Sequence, residues 1–293
     1  MEPTQGGFNM SNLPTKWSVW GLSLVMPMIS AQAQNSLVSD PQSLSGARSA
    51  GRAGSSVASQ LYSDSLFQNP ASAAFQSRYS LSLGYLAAGE GLLASIVDTK
   101  SGPVGGGVYY LRRRIAENQI QENAGFSLLH RPADRLGIGT TIRYVYQRQA
   151  SSERPAGALW NFDVGLRFLI SPSFALGLVG QNLLESNTGS EARHYSAGAE
   201  YLLTPQIALS VQARQIASVE KPELNYSAGA EYRFTNGVTL RTGYEDKRFW
   251  NERWAAAGLG YEQQEFGLDY AASKRIGSAA GSWQHTLGLS AFF

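Results

Sequence analysis

The chain has 293 residues, 16% of them charged, and a formal net charge of +2. Its Lys and Arg residues are scattered, which argues against a nucleic-acid partner. The absence of cysteine excludes disulfides, thiolate metal sites, cysteine nucleophiles and a lipoprotein anchor. The excess of small residues and tyrosine, with 31 Gly and 14 Tyr, suits a β-protein with close strand contacts.

Lys16 precedes the uncharged stretch WSVWGLSLVMPMI, which ends in SAQAQ. This is a positive n-region, an h-region too short to span a bilayer and an Ala31-x-Ala33 cleavage site. Residues 1–33 read as a signal peptide cleaved after Ala33, with Met10 as an alternative start. No later stretch approaches the ~18 uninterrupted apolar residues of a transmembrane helix.

Residues 34–78 do not alternate in polarity. The stretch is rich in small residues, and Asn69-Pro70 reads as a turn or helix start. Leu61, Leu66, Phe67 and Phe75 favour a packed plug or periplasmic segment over a loose tail.

From Tyr79 onward polarity switches with period two, the signature of strands with one apolar face. Strands are expected near 79–87, 92–98, 104–113, 120–130, 135–149, 157–170, 173–182, 193–202, 206–216, 223–234, 237–246, 252–262, 265–275 and 282–293. Tight turns (HRPADR, ISPS, LTPQ, TNG, QQE) alternate with longer polar connections (QASSERPAG, LESNTGSEAR, ASVEKPEL, EDKRFWNE). An even number of strands, each about ten residues long, with this alternation predicts a transmembrane antiparallel β-barrel over 79–293. A propeller or sandwich would need an unusually Tyr- and Ala-rich core.

The motif YSAGAEY occurs twice, from Tyr195 and from Tyr226. Its tyrosines and alanines fall on the apolar face, and Ser, Gly and Glu on the other. The repeat reads as successive hairpins of one barrel. Arg143, Arg167, Glu200, Glu231, Arg233 and Arg241 share the second face and are the lumen candidates. Opposite charges there predict ion pairs across a closed or polarised lumen. The last strand, WQHTLGLSAFF, ends on Phe293. A terminal aromatic on an amphipathic strand resembles the signal read by the barrel-assembly machinery of Gram-negative outer membranes.

No catalytic or metal constellation emerges. His130, His194 and His285 fall at different heights of the strand map, and GPVGGGV (102–108) opens a strand without a following helix. The chain reads as a non-enzyme without cofactor.

Gly46-Ala47-Arg48, Gly51, Gly54, Asp64 and Asn69-Pro70-Ala71 resemble the N-terminus of the FadL/PorV superfamily of outer-membrane proteins. GLRFLISPSFALGLVGQNL (165–183) and GAEYRFTNGVTLRTGY (229–244) are similar to strands of its PorV-like members. The resemblance implies a 14-stranded barrel with an N-terminal plug near Asn69, Pro70 and Ala71. The long extracellular insertions of the FadL transporters are missing, whereas short-looped relatives accompany secretion or surface assemblies. The expectation is therefore a scaffold or partner subunit of a secretion or envelope machine. It would sit among the lipids of a Gram-negative outer membrane with an envelope protein partner. The alternative is a FadL-like transporter of hydrophobic small molecules, gated at Asn69, Pro70 and Ala71 and contacting ligand through Glu231, Arg233 and Arg241.

Overall fold

The computed structural model describes residues 45–87, 90–116, 119–149, 157–184, 192–217, 223–277 and 283–293. The signal peptide read over 1–33 and the residues up to 44 lie outside the described residues. Fourteen antiparallel strands form a closed barrel in up-and-down order, with β1 bonded to β14. They are β1 (Tyr79–Leu86), β2 (Gly91–Asp98), β3 (Val104–Ala116), β4 (Gln119–Ala133), β5 (Leu136–Gln149), β6 (Gly157–Ser171) and β7 (Phe174–Gln181). β8 (His194–Leu202), β9 (Ile207–Ile216), β10 (Leu224–Arg233), β11 (Val238–Lys247), β12 (Glu252–Glu262), β13 (Phe266–Ile276) and β14 (Trp283–Phe292) complete it.

Each strand expected from alternation is present. β3 and β4 run beyond the expected 104–113 and 120–130. Their ends lose the apolar face, yet Arg112 and Tyr110 still meet Glu122 across the pair, at 3.7 and 3.0 Å. The polar stretch EDKRFWNE, read as a long connection, is half strand, with Glu245–Lys247 in β11 and Glu252 in β12. Asp246 pairs with Arg253 and Lys247 with Glu252, and the chain reverses over Arg248–Trp250 and Asn251, whose φ is +53°.

Outward side chains are large and apolar: Leu83, Leu178, Leu259 and Leu287 are each about half exposed. Each such side chain would forgo ~1.5–3 kcal/mol of burial in water. Hydrocarbon removes that cost, and the closed ladder leaves no strand edge unpaired there. Exposed tyrosines mark both ends of the strands, Tyr195 and Tyr201 on β8 and Tyr226 and Tyr232 on β10, as interfacial girdles do. The barrel closes where Tyr79 and Phe293 exchange N–H···O bonds of 3.2 and 3.1 Å.

The stretch from Ser45 onward fills the lumen as a plug, with almost every residue from Ser45 to Ala73 buried. It holds three short helices, α1 (Ala47–Ala50), α2 (Ser65–Gln68) and α3 (Pro70–Ala73). Four-residue helices leave most backbone groups without internal partners, so those groups must be satisfied elsewhere. Wall side chains do this. The Gln212 carboxamide oxygen accepts from the N–H groups of Ser56 and Val57, both at 3.1 Å. Arg167 Nε donates to the Ala58 carbonyl at 2.7 Å, and Gln181 Nε2 to the Phe67 carbonyl at 3.0 Å.

The plug backbone lies so close to the wall that it runs along inward glycines. A Cβ on Gly243 would sit 2.3 Å from the Arg52 carbonyl carbon, one on Gly177 2.3 Å from the Val57 oxygen, and one on Gly139 2.3 Å from the Ala71 nitrogen. These glycines stand on β11, β7 and β5, so the plug follows the wall around the lumen. They also explain the repeated motif more fully than hairpin geometry does. Gly198 and Gly229 meet Val57 and Ser55 of the plug.

Gly139→Ala and Gly243→Ala are expected to unseat the plug, because backbone atoms cannot yield as side chains do. Hydrogen exchange over 45–76 should rise in both variants. Gly106→Ala, whose Cβ would have no neighbour nearer than 3.9 Å, should leave it unchanged.

Candidate functional site

The proposed gate residues occupy one corner of the plug. Asn69 is fully buried and caps α3, its Oδ1 accepting from the Ala71 N–H at 3.1 Å. Its Nδ2 donates to the Val57 carbonyl of the plug at 2.8 Å and to the Leu166 carbonyl of β6 at 3.0 Å. Pro70 takes the first helical position, where its missing N–H costs nothing. Ala71 lies on Gly139, so there is no room there for a larger side chain. The turn is thus tied to β5 and β6 as well as to the plug.

Three lumen candidates gather on the opposite sector. Glu231 on β10 accepts from Arg241 Nε of β11 at 2.7 Å and from Arg233 Nε at 2.5 Å. Arg241 Nη1 continues to Asp269 on β13 at 2.6 Å. Asp269 in turn accepts from Arg48 Nε of the plug at 2.7 Å, and Arg48 Nη2 stands 3.3 Å from Glu262. Glu200 has a different partner, the buried Arg52 of the plug, at 2.7 Å. The wall carboxylates therefore anchor two plug cations. Arg48 and Arg52 were not among the sequence candidates, although RSAGR stands out as the charged part of a small-residue stretch.

Asp64 joins this network from the plug, its Oδ2 accepting from the Arg48 N–H at 3.2 Å. Burial raises its carboxyl from 3.8 to about 6, opposed by Arg48 and assisted by Asp269. The remaining candidates stand apart. Arg143 Nη2 meets Asp163 at 3.0 Å and also Asn182, while Arg167 holds the Ala58 carbonyl. The histidines are separate too. His194 faces inward and meets Gln181 at 3.0 Å, His130 meets the Pro103 carbonyl at 3.0 Å, and His285 meets Tyr270 on the outer surface at 2.7 Å.

Between α2, α3 and strands β2–β4 lies an apolar cluster. Leu66, Phe67 and Ala73 of the plug pack with Leu93, Val97, Tyr109, Leu111 and Leu129 of the wall. The Phe67 and Tyr109 rings meet edge-on at 4.5 Å between centroids. This side was missed from the sequence, though a signal was present: β2 turns Leu93 and Val97 inward, with only Ser95 polar between them.

Asn69→Ala removes three bonds and leaves the Val57 and Leu166 carbonyls without that donor. A loss of about 2–4 kcal/mol in local plug stability is expected, read as faster exchange over 65–74. For Asp64 the raised folded value means its stabilising contribution is complete below about pH 4 and lost as pH rises through about 6. Plug exchange, corrected for intrinsic rate, should be slower at pH 5 than at pH 7.5, and Asp64→Asn should flatten that difference.

No family model and no curated protein matches the sequence. Solved structures do. The CymD monoaromatic hydrocarbon channel superposes with a TM-score of 0.63 at 13% identity, covering 85% of this chain and 97% of its own. The Ralstonia pickettii toluene transporter TbuX gives 0.61 at 11% identity, covering 84% and 97%. A Pseudomonas aeruginosa FadL homologue gives 0.61 at 13%, covering 85% and 98%. At this identity the likeness concerns architecture, and it shows that the chain has the fold of the FadL-type outer-membrane channels.

Proposed function

We propose that the protein is a plugged channel for small hydrophobic molecules in the outer membrane of a Gram-negative bacterium, acting without catalysis. The observation that carries this reading is the divided lumen. One side seats the plug by ion pairs and backbone bonds, and the other offers apolar side chains from Leu93 to Leu129 against Leu66 and Phe67. A solute without hydrogen-bonding groups loses nothing on entering such a seam, and a polar solute loses its hydration. In support, the structural neighbours are described as a monoaromatic hydrocarbon channel and a toluene transporter.

The scaffold reading drawn from the short connections is set aside. The neighbours are channels and transporters, and nothing in the likeness points to a secretion machine or a protein partner. Short loops limit what the outer rim can grip but leave the lumen unaffected. Asn69, Pro70 and Ala71 serve as a fixed end of the plug in this reading, the ion-paired sector as its other anchor, and the apolar contacts of Leu66 and Phe67 with the wall as those that part for a solute.

Uptake of radiolabelled toluene by a porin-poor strain expressing the barrel tests the proposal. Expression should raise initial uptake severalfold and leave glucose entry unchanged. Leu93→Trp, which fills the seam, should cut the gain at least fivefold while the barrel stays folded by heat-modifiability on gels. Equal toluene entry with and without the barrel would end the reading.

A further inference from the structure

A cavity of about 470 Å³ opens at the short-turn end of the barrel, between the plug and the wall of β10–β13. Four guanidiniums, those of Arg48, Arg78, Arg233 and Arg241, line it together with two carboxylates, Glu231 and Glu262. The carboxylates are already engaged. Glu231 accepts from Arg241 and Arg233, and Glu262 accepts from the Tyr62 hydroxyl and faces Arg48.

Guanidinium capacity, in contrast, is left over. Arg48 is 4% exposed; its Nε and Nη2 face Asp269 at 2.7 Å and Glu262 at 3.3 Å, and its Nη1 has no hydrogen-bond partner. Arg78 makes no described ion pair. Its guanidinium carbon lies over the Tyr62 and Phe292 rings, at 4.8 Å from each centroid. Arg48 covers Tyr62 as well, at 4.2 Å, so two cations lie against one ring. The Tyr62 backbone, at φ +54°, sits in the left-handed region that bulky residues avoid. Arg48 is neutralised by Asp269 and Glu262, whereas Arg78 has only the cation–π contact, which does not neutralise it. Among the described residues Arg78 is therefore the cation of this cavity that lacks a carboxylate partner.

We infer that this cavity is a binding site for a small organic acid, taken by its carboxylate. Arg78 and Arg233 grip the carboxylate, Arg233 being the more exposed at 55% of its side chain. A planar guanidinium presents paired donors that match the two carboxylate oxygens. Leu61, Tyr62 and Phe234 give the acid an apolar bed. The site lies at the end opposite the loops, on the charged side of the plug, and is separate from the apolar seam. It needs no transport to be detected, so its failure and that of the channel reading are distinguishable.

Calorimetric titration of the full barrel in detergent, with benzoate as probe, tests the inference. Benzoate should bind at least tenfold more tightly than its neutral counterpart benzyl alcohol, and the advantage should shrink with added salt. Arg78→Gln should weaken benzoate tenfold or more and leave benzyl alcohol unchanged, while Arg78→Lys, which keeps the charge and loses the paired donors, should fall between Arg78→Gln and the parent. Circular dichroism and heat-modifiability establish that each variant is folded. Equal binding of benzoate and benzyl alcohol, or an Arg78→Gln variant with parental affinity, would overturn the assignment. So would inorganic phosphate binding as tightly as benzoate, since the apolar bed would then contribute nothing.

Discussion

The approach of the plug backbone to the wall is the constraint on which the rest depends. Gly139, Gly177 and Gly243 let main chain meet main chain at distances no Cβ would permit. That closeness brings the donors and acceptors of a nearly helix-free segment within reach of wall side chains, and Gln212, Arg167 and Gln181 complete its bonding. Without it, a stretch of short helices would leave unsatisfied peptide groups in a closed space. A single unpaired buried polar group costs about 1–3 kcal/mol, which is why wall side chains are committed to the plug's peptide groups.

Given that seating, the lumen divides by chemistry. Charged partners on β12 and β13 hold Arg48 of α1, Glu200 on β8 holds Arg52, and apolar partners on β2–β4 hold α2 and part of α3. A passage along the plug therefore differs by side. On one it crosses ion pairs that are costly to break without replacement. On the other it parts contacts that a hydrocarbon solute replaces in kind. The second is the easier route for an apolar molecule, and the division follows from the inward residues of only a few strands.

Much of this was legible in the sequence. Alternation located the strands because each has one face in lipid, and the repeated YSAGAEY motif fixed two of them at the same height. The inward charges were found because Glu231 and Arg241 stand out on an otherwise small-residue face, and they pair across neighbouring strands. The partners of Glu200 and Asp269 were not legible. Arg48 and Arg52 lie about 150 to 220 residues away in the chain, and no local periodicity links them to the wall. The inward glycines were seen as part of the pattern, but their purpose needs the plug to be in place. The apolar seam was hidden by the same logic that revealed the barrel: a strand with apolar residues on both faces reads as a weak alternator.

The plug also links distant parts of the chain. α3 packs on β4–β6 and α1 on β12–β14, although both precede every strand in sequence. Closure of the barrel between β1 and β14, where Tyr79 meets Phe293, encloses a segment fastened at both ends. The plug acts as an internal strut between strands from the first half of the barrel and the last three, so a change at Gly139 acts on its α3 end and one at Gly267, beside Arg48, on its α1 end.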